Sequence, residues 1–116
     1  MSKISILKER ADFLRAARAK SAGTAGFHLQ ARERAPDEAA LTPIRFGVTC
    51  SKKVGNAVAR NRAKRRLREV ARAVLPQQGR AGWDYVLIGR HEETARRAWP
   101  DLQADLQNAL ERVHQP

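Results

Sequence analysis

Between Ala59 and Val74 five apolar residues, Ala59, Ala63, Leu67, Val70 and Val74, recur along the chain. Steps of three or four place them in one narrow sector of a helix, with Ala71 at its edge. The stripe is Ala, Val and a single Leu, sized for packing on another protein surface and short of the bulky residues a membrane-surface helix needs. Around it the segment is strongly positive: Lys52 to Arg72 carries nine of the 23 Lys and Arg and one acid, Glu69. Like charges one turn apart oppose a helix, and cations in its first turn oppose the macrodipole. Such a helix must therefore be held by packing, and a sheet is the expected support.

Asn61, Lys64, Arg65, Arg68 and Arg72 project opposite the stripe, Arg60 and Arg66 flank it, and Arg62 lies beyond Arg66. A solvated helix face normally mixes signs in i,i+4 pairs; this one does not. With a net charge of +11 over 116 residues, the expected partner is a polyanion. Arg favours bidentate phosphate contacts. Cations on several sides of one rod suit a folded RNA better than a single DNA groove, and a preceding strand disfavours a helix-turn-helix. The reading is RNA, with no membrane and no DNA.

The remaining elements follow from period and punctuation. Leu7 to Ala17 is expected as a helix with Leu7, Ala11, Leu14 and Ala17 as its stripe and Phe13 beside it. Lys20 to Gly26, "KSAGTAG", is turn material. "FHLQARER" alternates, with Phe27, Leu29 and Ala31 on one side of a strand. "APDEAALTP" breaks it, and "IRFGVTC" forms a second strand with Ile44, Phe46, Val48 and Cys50 on one side. The two are expected to pair as a hairpin. Asn56 caps the basic helix, which should stop before Pro76. "WDYVLIGR" is apolar on both faces, as a central strand is. "WPDLQADLQNALERV" is a helix with Pro100 in its first turn and a stripe of Leu102, Leu106, Ala109, Leu110 and Val113. The order α-β-β-α-β-α indicates an α+β chain, a two-layer α/β sandwich in one domain, residues 1–116.

Other chemistry is excluded residue by residue. Cys50 is the single cysteine, so no internal disulfide forms, and by alternation it reads as core. His28, His91 and His114 lack zinc spacing. "GVTCSKKVG" has no Gly before a Lys-Ser or Lys-Thr pair, as a phosphate loop demands. Glu92 and Glu93 read as a helix start, and Trp83 and Trp99 as packing residues. No catalytic residue and no metal site is read, and no signal peptide or membrane span, so the expected location is the cytoplasm. Phe27 and Phe46 could share a face as a base-stacking platform, with Phe13 a further candidate; packing in the core is the default for each.

"SKKVGNAVARNRAKRRLREVAR" resembles the protein component of bacterial ribonuclease P. Ser-Lys-Lys, Gly-Asn-Ala-Val, Arg-Asn-Arg and Lys-Arg-x-x-Arg occur together in that family's order, "DFLRAAR" is similar to its first helix and "DYVLIGR" to its last strand. The resemblance implies an extra short strand, giving α-β-β-β-α-β-α, with a left-handed crossover through the basic helix where general rules predict a right-handed one. It implies a non-catalytic subunit of an endoribonuclease whose RNA subunit removes the 5′ leader of precursor tRNA using magnesium, the protein itself holding no cofactor. Lys52, Lys53, Arg60, Arg62, Lys64, Arg65, Arg66 and Arg68, with Asn56 and Asn61, are then implied to face RNA. A leader cleft is implied between the first helix and the sheet, with Phe13, Phe27 and Phe46. Ala17 and Ala31 stand where relatives commonly carry aromatics. The alternative kept from another class is a ribosomal or RNA-chaperone-type protein that binds structured RNA without an enzyme.

Overall fold

The computed structural model describes residues 3–36 and 43–116. It contains β1 (Ile4–Ile6), α1 (Arg10–Ala17), β2 (Lys20–Gly23), β3 (Phe27–Glu33), β4 (Ile44–Thr49), α2 (Ala57–Gln78), β5 (Trp83–Gly89), α3 (Glu93–Arg96) and α4 (Trp99–Val113), with a 3-10 turn at Lys52–Val54. One five-stranded sheet runs in the order β1-β4-β5-β3-β2. The α+β sandwich is as expected. Most of the predicted break at 35–43 lies outside the described residues.

β5 takes the centre because it is apolar on both faces. It pairs parallel with β4 and antiparallel with β3, so the expected β3–β4 hairpin does not form. Alternation along the strands then divides the residues between two faces. Phe27, Leu29, Ala31, Ile44, Phe46, Tyr85 and Leu87 join one core with Leu67, Val70 and Val74 of α2 and Leu102, Leu106 and Leu110 of α4. Val86 and Ile88 point to the other face and pack with Leu7, Phe13 and Ala16 beneath α1.

Several local expectations are corrected. Lys20 to Gly23 is a strand, β2, paired with β3; only the turn after it is irregular, with Thr24 N–H donating to Phe27 O at 2.9 Å. β1 was not expected at all. Its three residues pair with β4, and Leu7, placed by sequence in the helix, continues that pairing by donating to Phe46 O at 2.8 Å. α1 therefore starts at Arg10 and buries Asp12 and Ala16 rather than the predicted stripe; Leu14 is 49% exposed. α2 runs through Pro76 to Gln78. Proline costs one hydrogen bond there, but Leu75 before it is fully buried, and tertiary packing holds the residue in the helix against the local preference. Trp83 is buried as expected, whereas Trp99 is 36% exposed at the start of α4.

Candidate nucleic-acid interface

α2 begins where the sequence places it. The Asn56 side-chain oxygen accepts from Ala59 N–H at 2.9 Å, satisfying one of the orphan donors of the first turn. Before it, Gly55 takes φ 139°, a backbone conformation that favours glycine, and lets the 3-10 turn swing directly into the helix. That turn leaves Lys52 and Lys53 exposed beside the first turn of α2. Ala63, Leu67, Val70, Ala71, Val74 and Leu75 are buried, which fixes the rotation of the rod on the sheet. Asn61, Arg62, Arg65 and Arg72 are exposed; Arg60, Lys64, Arg66 and Arg68 are half-buried. Among the described residues, no ion pair engages a cation between Lys52 and Arg72. The predicted cations thus sit on one packed helix and the turn before it, with no acid paired to them among the described residues.

Two of them are tied into the chain. Arg60 Nη1 donates to Gly55 O at 3.2 Å. Arg66 is tied more firmly: its Nη1 donates to Thr94 O at 3.1 Å and Ala95 O at 2.9 Å. Arg66 sits at one of the unspecified positions of Lys-Arg-x-x-Arg and supports the β5–α4 connection instead of standing free.

A second concavity lies under α1. It has a volume of about 500 Å³ and is lined by Phe13, Leu14 and Ala17 from the helix and Gln30, Thr49, Val86 and Ile88 from the sheet, with Lys8 and Arg10 at its edge. Gly47 lets the Phe13 ring lie on β4: a Cβ there would sit 2.5 Å from Phe13 Cζ. The predicted trio of aromatics is split. Phe27 and Phe46 share a face, but it is the opposite one, and they are 0% and 1% exposed in the α2–α4 core. Strand parity decides this, because an aromatic that packs under α2 cannot also face α1. Ala31 is on that same buried face, so it is no part of the cleft; Ala17 is.

Sequence reasoning missed the ion-pair network that ties α1 to the sheet. Asp84, fully buried in β5, accepts from Arg45 Nη2 at 2.7 Å and Arg45 Nε at 2.8 Å. It is also paired with Arg34, and with Arg32 at 3.7 Å. Arg45 reaches on to Asp12 of α1 at 3.4 Å. Hydrogen bonding to Asp84 raises the Arg45 pKa. The available signal was a lone acid inside an apolar strand, since a buried charge needs partners. Cys50 is half-buried against Gly89, and burial pushes its thiol pKa up. Among the described residues no cluster of three or more His, Cys, Asp or Glu is placed to hold a metal.

The family model described as Ribonuclease P matches residues 1–114. A curated ribonuclease P protein component from Ruegeria pomeroyi is 60% identical over 115 residues, covering 99% of this chain and 90% of that one. Another, from Paramagnetospirillum magneticum, is 47% identical, covering 97% and 84%. Among solved structures, the Staphylococcus aureus RNase P protein superposes with a TM-score of 0.71 at 26% identity, covering 94% of each chain. The Thermotoga maritima RNase P protein gives 0.68 at 29% identity, covering 91% and 94%.

Proposed function

The chain belongs to the ribonuclease P protein component family, and we propose that α2 and the turn before it dock on the RNA subunit while the α1 cleft receives the 5′ leader of precursor tRNA. The chain is a subunit of the ribonuclease P holoenzyme, which processes tRNA. In this reading bond cleavage belongs to the RNA subunit and its magnesium. The protein contributes position and charge, working in the cytoplasm where precursor tRNA is matured. No helix among the described residues is long and apolar enough to cross a membrane.

The observation that carries the reading is the uncompensated charge of one packed helix. Asn61, Arg62 and Arg65 stand exposed from a rod whose other side is locked into the core. Among the described residues no acid pairs with the Arg62 or Arg65 guanidinium, and RNA phosphates match both in charge and fork geometry. The cleft adds Phe13 with Lys8 and Arg10 close by, an apolar surface with cations at its edge, as single-stranded RNA requires. With Ala17 in its wall and Phe27 and Phe46 buried elsewhere, base stacking there rests on Phe13 alone.

Reconstitution tests the reading. Purified protein alone should leave precursor tRNA intact, and adding it to the RNA subunit should restore cleavage at low magnesium. Cleavage by the protein alone, or no gain on adding it, would contradict the assignment.

A further inference from the structure

Beside the exposed face of α2, the start of that helix and α3 enclose a hollow of about 250 Å³. Val54, Ala59, Ala63 and Ala95 line it, and Arg62, Arg96 and Glu92 stand around them. It shares no lining residue with the α1 cleft. We propose that this hollow receives one unstacked nucleobase of the RNA subunit, with the phosphates on either side of that base held by Arg62 and Arg96. The inference rests on the reading that α2 docks on that RNA.

Size, lining and charge each point the same way. Pockets for drug-sized ligands hold roughly 300–1,000 Å³, so this one fits a single ring system better than a larger ligand. Its lining is small and apolar, which suits the flat face of a base. Unstacked bases of folded RNA are commonly splayed out onto protein surfaces and guanidinium planes. Arg62 is exposed and also lines a second, adjoining hollow with Val58, Asn61 and Arg65. Arg62 therefore borders both recesses. Glu92 is the one acid at the hollow and, although it pairs with Arg96 at 3.4 Å and lies 3.5 Å from His91 Nε2, a carboxylate with about four lone-pair sites retains acceptor capacity. It can accept from the exocyclic amine of adenine, cytosine or guanine, which uracil lacks.

The hollow is held open by the chain itself. Arg66 ties α3 to α2 through Thr94 O and Ala95 O. Thr94 is fully buried; its hydroxyl donates to Gly26 O at 2.6 Å and accepts from Arg90 N–H at 2.8 Å. Glu92 is held at φ 63°, a left-handed backbone conformation uncommon for a residue with a side chain. The wall carrying Ala95 is thus fixed from two directions, and a preformed recess lowers the ordering cost of binding. Arg66 is a positioning residue for this site.

The test uses the full protein with the RNA subunit, comparing wild type with Ala95→Leu and Ala59→Leu, which fill the hollow, Arg66→Leu, and Arg65→Ala as a docking control. Assembly affinity, its salt dependence, thermal melting and dimethyl sulfate protection of the RNA are read together. The filled variant that melts like wild type should bind about tenfold more weakly, with an unchanged salt slope. It should also expose one adenine, cytosine or guanine that the wild type protects. Arg66→Leu should lose the same protection and keep the salt slope, whereas a lost phosphate contact lowers that slope by about one. If both filled variants bind and protect like wild type while Arg65→Ala weakens binding, the hollow does not take a base and the docking reading stands. If Arg65→Ala also binds like wild type with an unchanged slope, the docking reading itself fails.

Discussion

Arg45 and Asp84 face each other across the parallel pair β4–β5, and their side chains meet in two hydrogen bonds of 2.7 and 2.8 Å on the α1 side of the sheet. Arg32 faces Asp84 from the other neighbour, β3. One buried acid in the central strand thereby collects arginines from both adjoining strands, and Arg45 passes the connection to Asp12 of α1. The same set of charges anchors the sheet and orients the helix that roofs the cleft.

Removing that acid strands several guanidinium groups in a buried setting. Breaking a buried ion pair by deleting one partner costs about 3–5 kcal/mol. Asp84→Ala is expected to lose stability in that range, and urea unfolding measures it. A change within about 0.5 kcal/mol, typical of a surface substitution, would show that the network is not anchoring the sheet.

The exposed cations predict a salt signature. If about six phosphates are contacted, affinity for the RNA subunit should fall about a thousandfold between 50 and 200 mM salt. Filter binding across that range checks it, and a flat response would remove phosphate contact as the basis of docking.

The face of α2 should matter more than charge in general. Arg65→Ala, which removes an exposed guanidinium of α2, is expected to weaken assembly about tenfold. Arg112→Ala, on α4 and engaged with Gly23 O, should leave assembly near wild type. Equal effects in the same titration would deny the basic helix a special role.

Gly47 controls how closely Phe13 approaches the sheet. Because a Cβ would sit 2.5 Å from the ring, Gly47→Ala should displace Phe13 and cost about 1–3 kcal/mol, as overpacking does. It should also weaken binding of precursor tRNA while leaving affinity for mature tRNA unchanged. Comparing the two substrates with the reconstituted holoenzyme separates a cleft effect from general destabilisation.

His114, next to the end of α4, gives a pH dependence. Tyr85 O–H lies 2.7 Å from His114 Nε2, and Tyr85 O accepts from Arg80 N–H, so the hydroxyl proton is free to be donated to a neutral imidazole. Burial, then the charges of Arg80 and Lys20, push the His114 pKa down to about 4. Unfolded, it titrates near 6.5. Between those values the unfolded chain binds the extra proton, so the contribution is complete above pH 6.5 and is lost as pH falls toward 4. Melting curves at pH 7 and 5 should show a larger drop for wild type than for His114→Gln; equal drops would exclude this coupling.

Much of the molecule was readable from local pattern. The stripe of α2, the Asn56 cap, the buried face of α4 and the central place of β5 follow from periodicity and from which residues tolerate burial on two sides. The exposed basic face of α2 was readable for the same reason, since fixing the buried stripe of one helix fixes what its other faces expose. The cleft was only half legible. Phe13 lines it, whereas Phe27 and Phe46, implied there by the family resemblance, take the core position that was their default reading; residue type alone does not say which side of the sheet a strand residue meets. Arg66 looked like its neighbours because a count of cations cannot show a carbonyl 28 residues away.

What the sequence by itself determined is each residue's side within its own element, because helix and strand periods are set by local backbone geometry. Only the tertiary structure decided which helix covers which face, that β5 separates β3 from β4, that Ile4–Ile6 becomes an edge strand, and that Asp84 sits among three arginines. Those outcomes depend on pairing between segments far apart in the chain, where hydrogen bonds and burial are shared between partners and neither segment alone specifies the other.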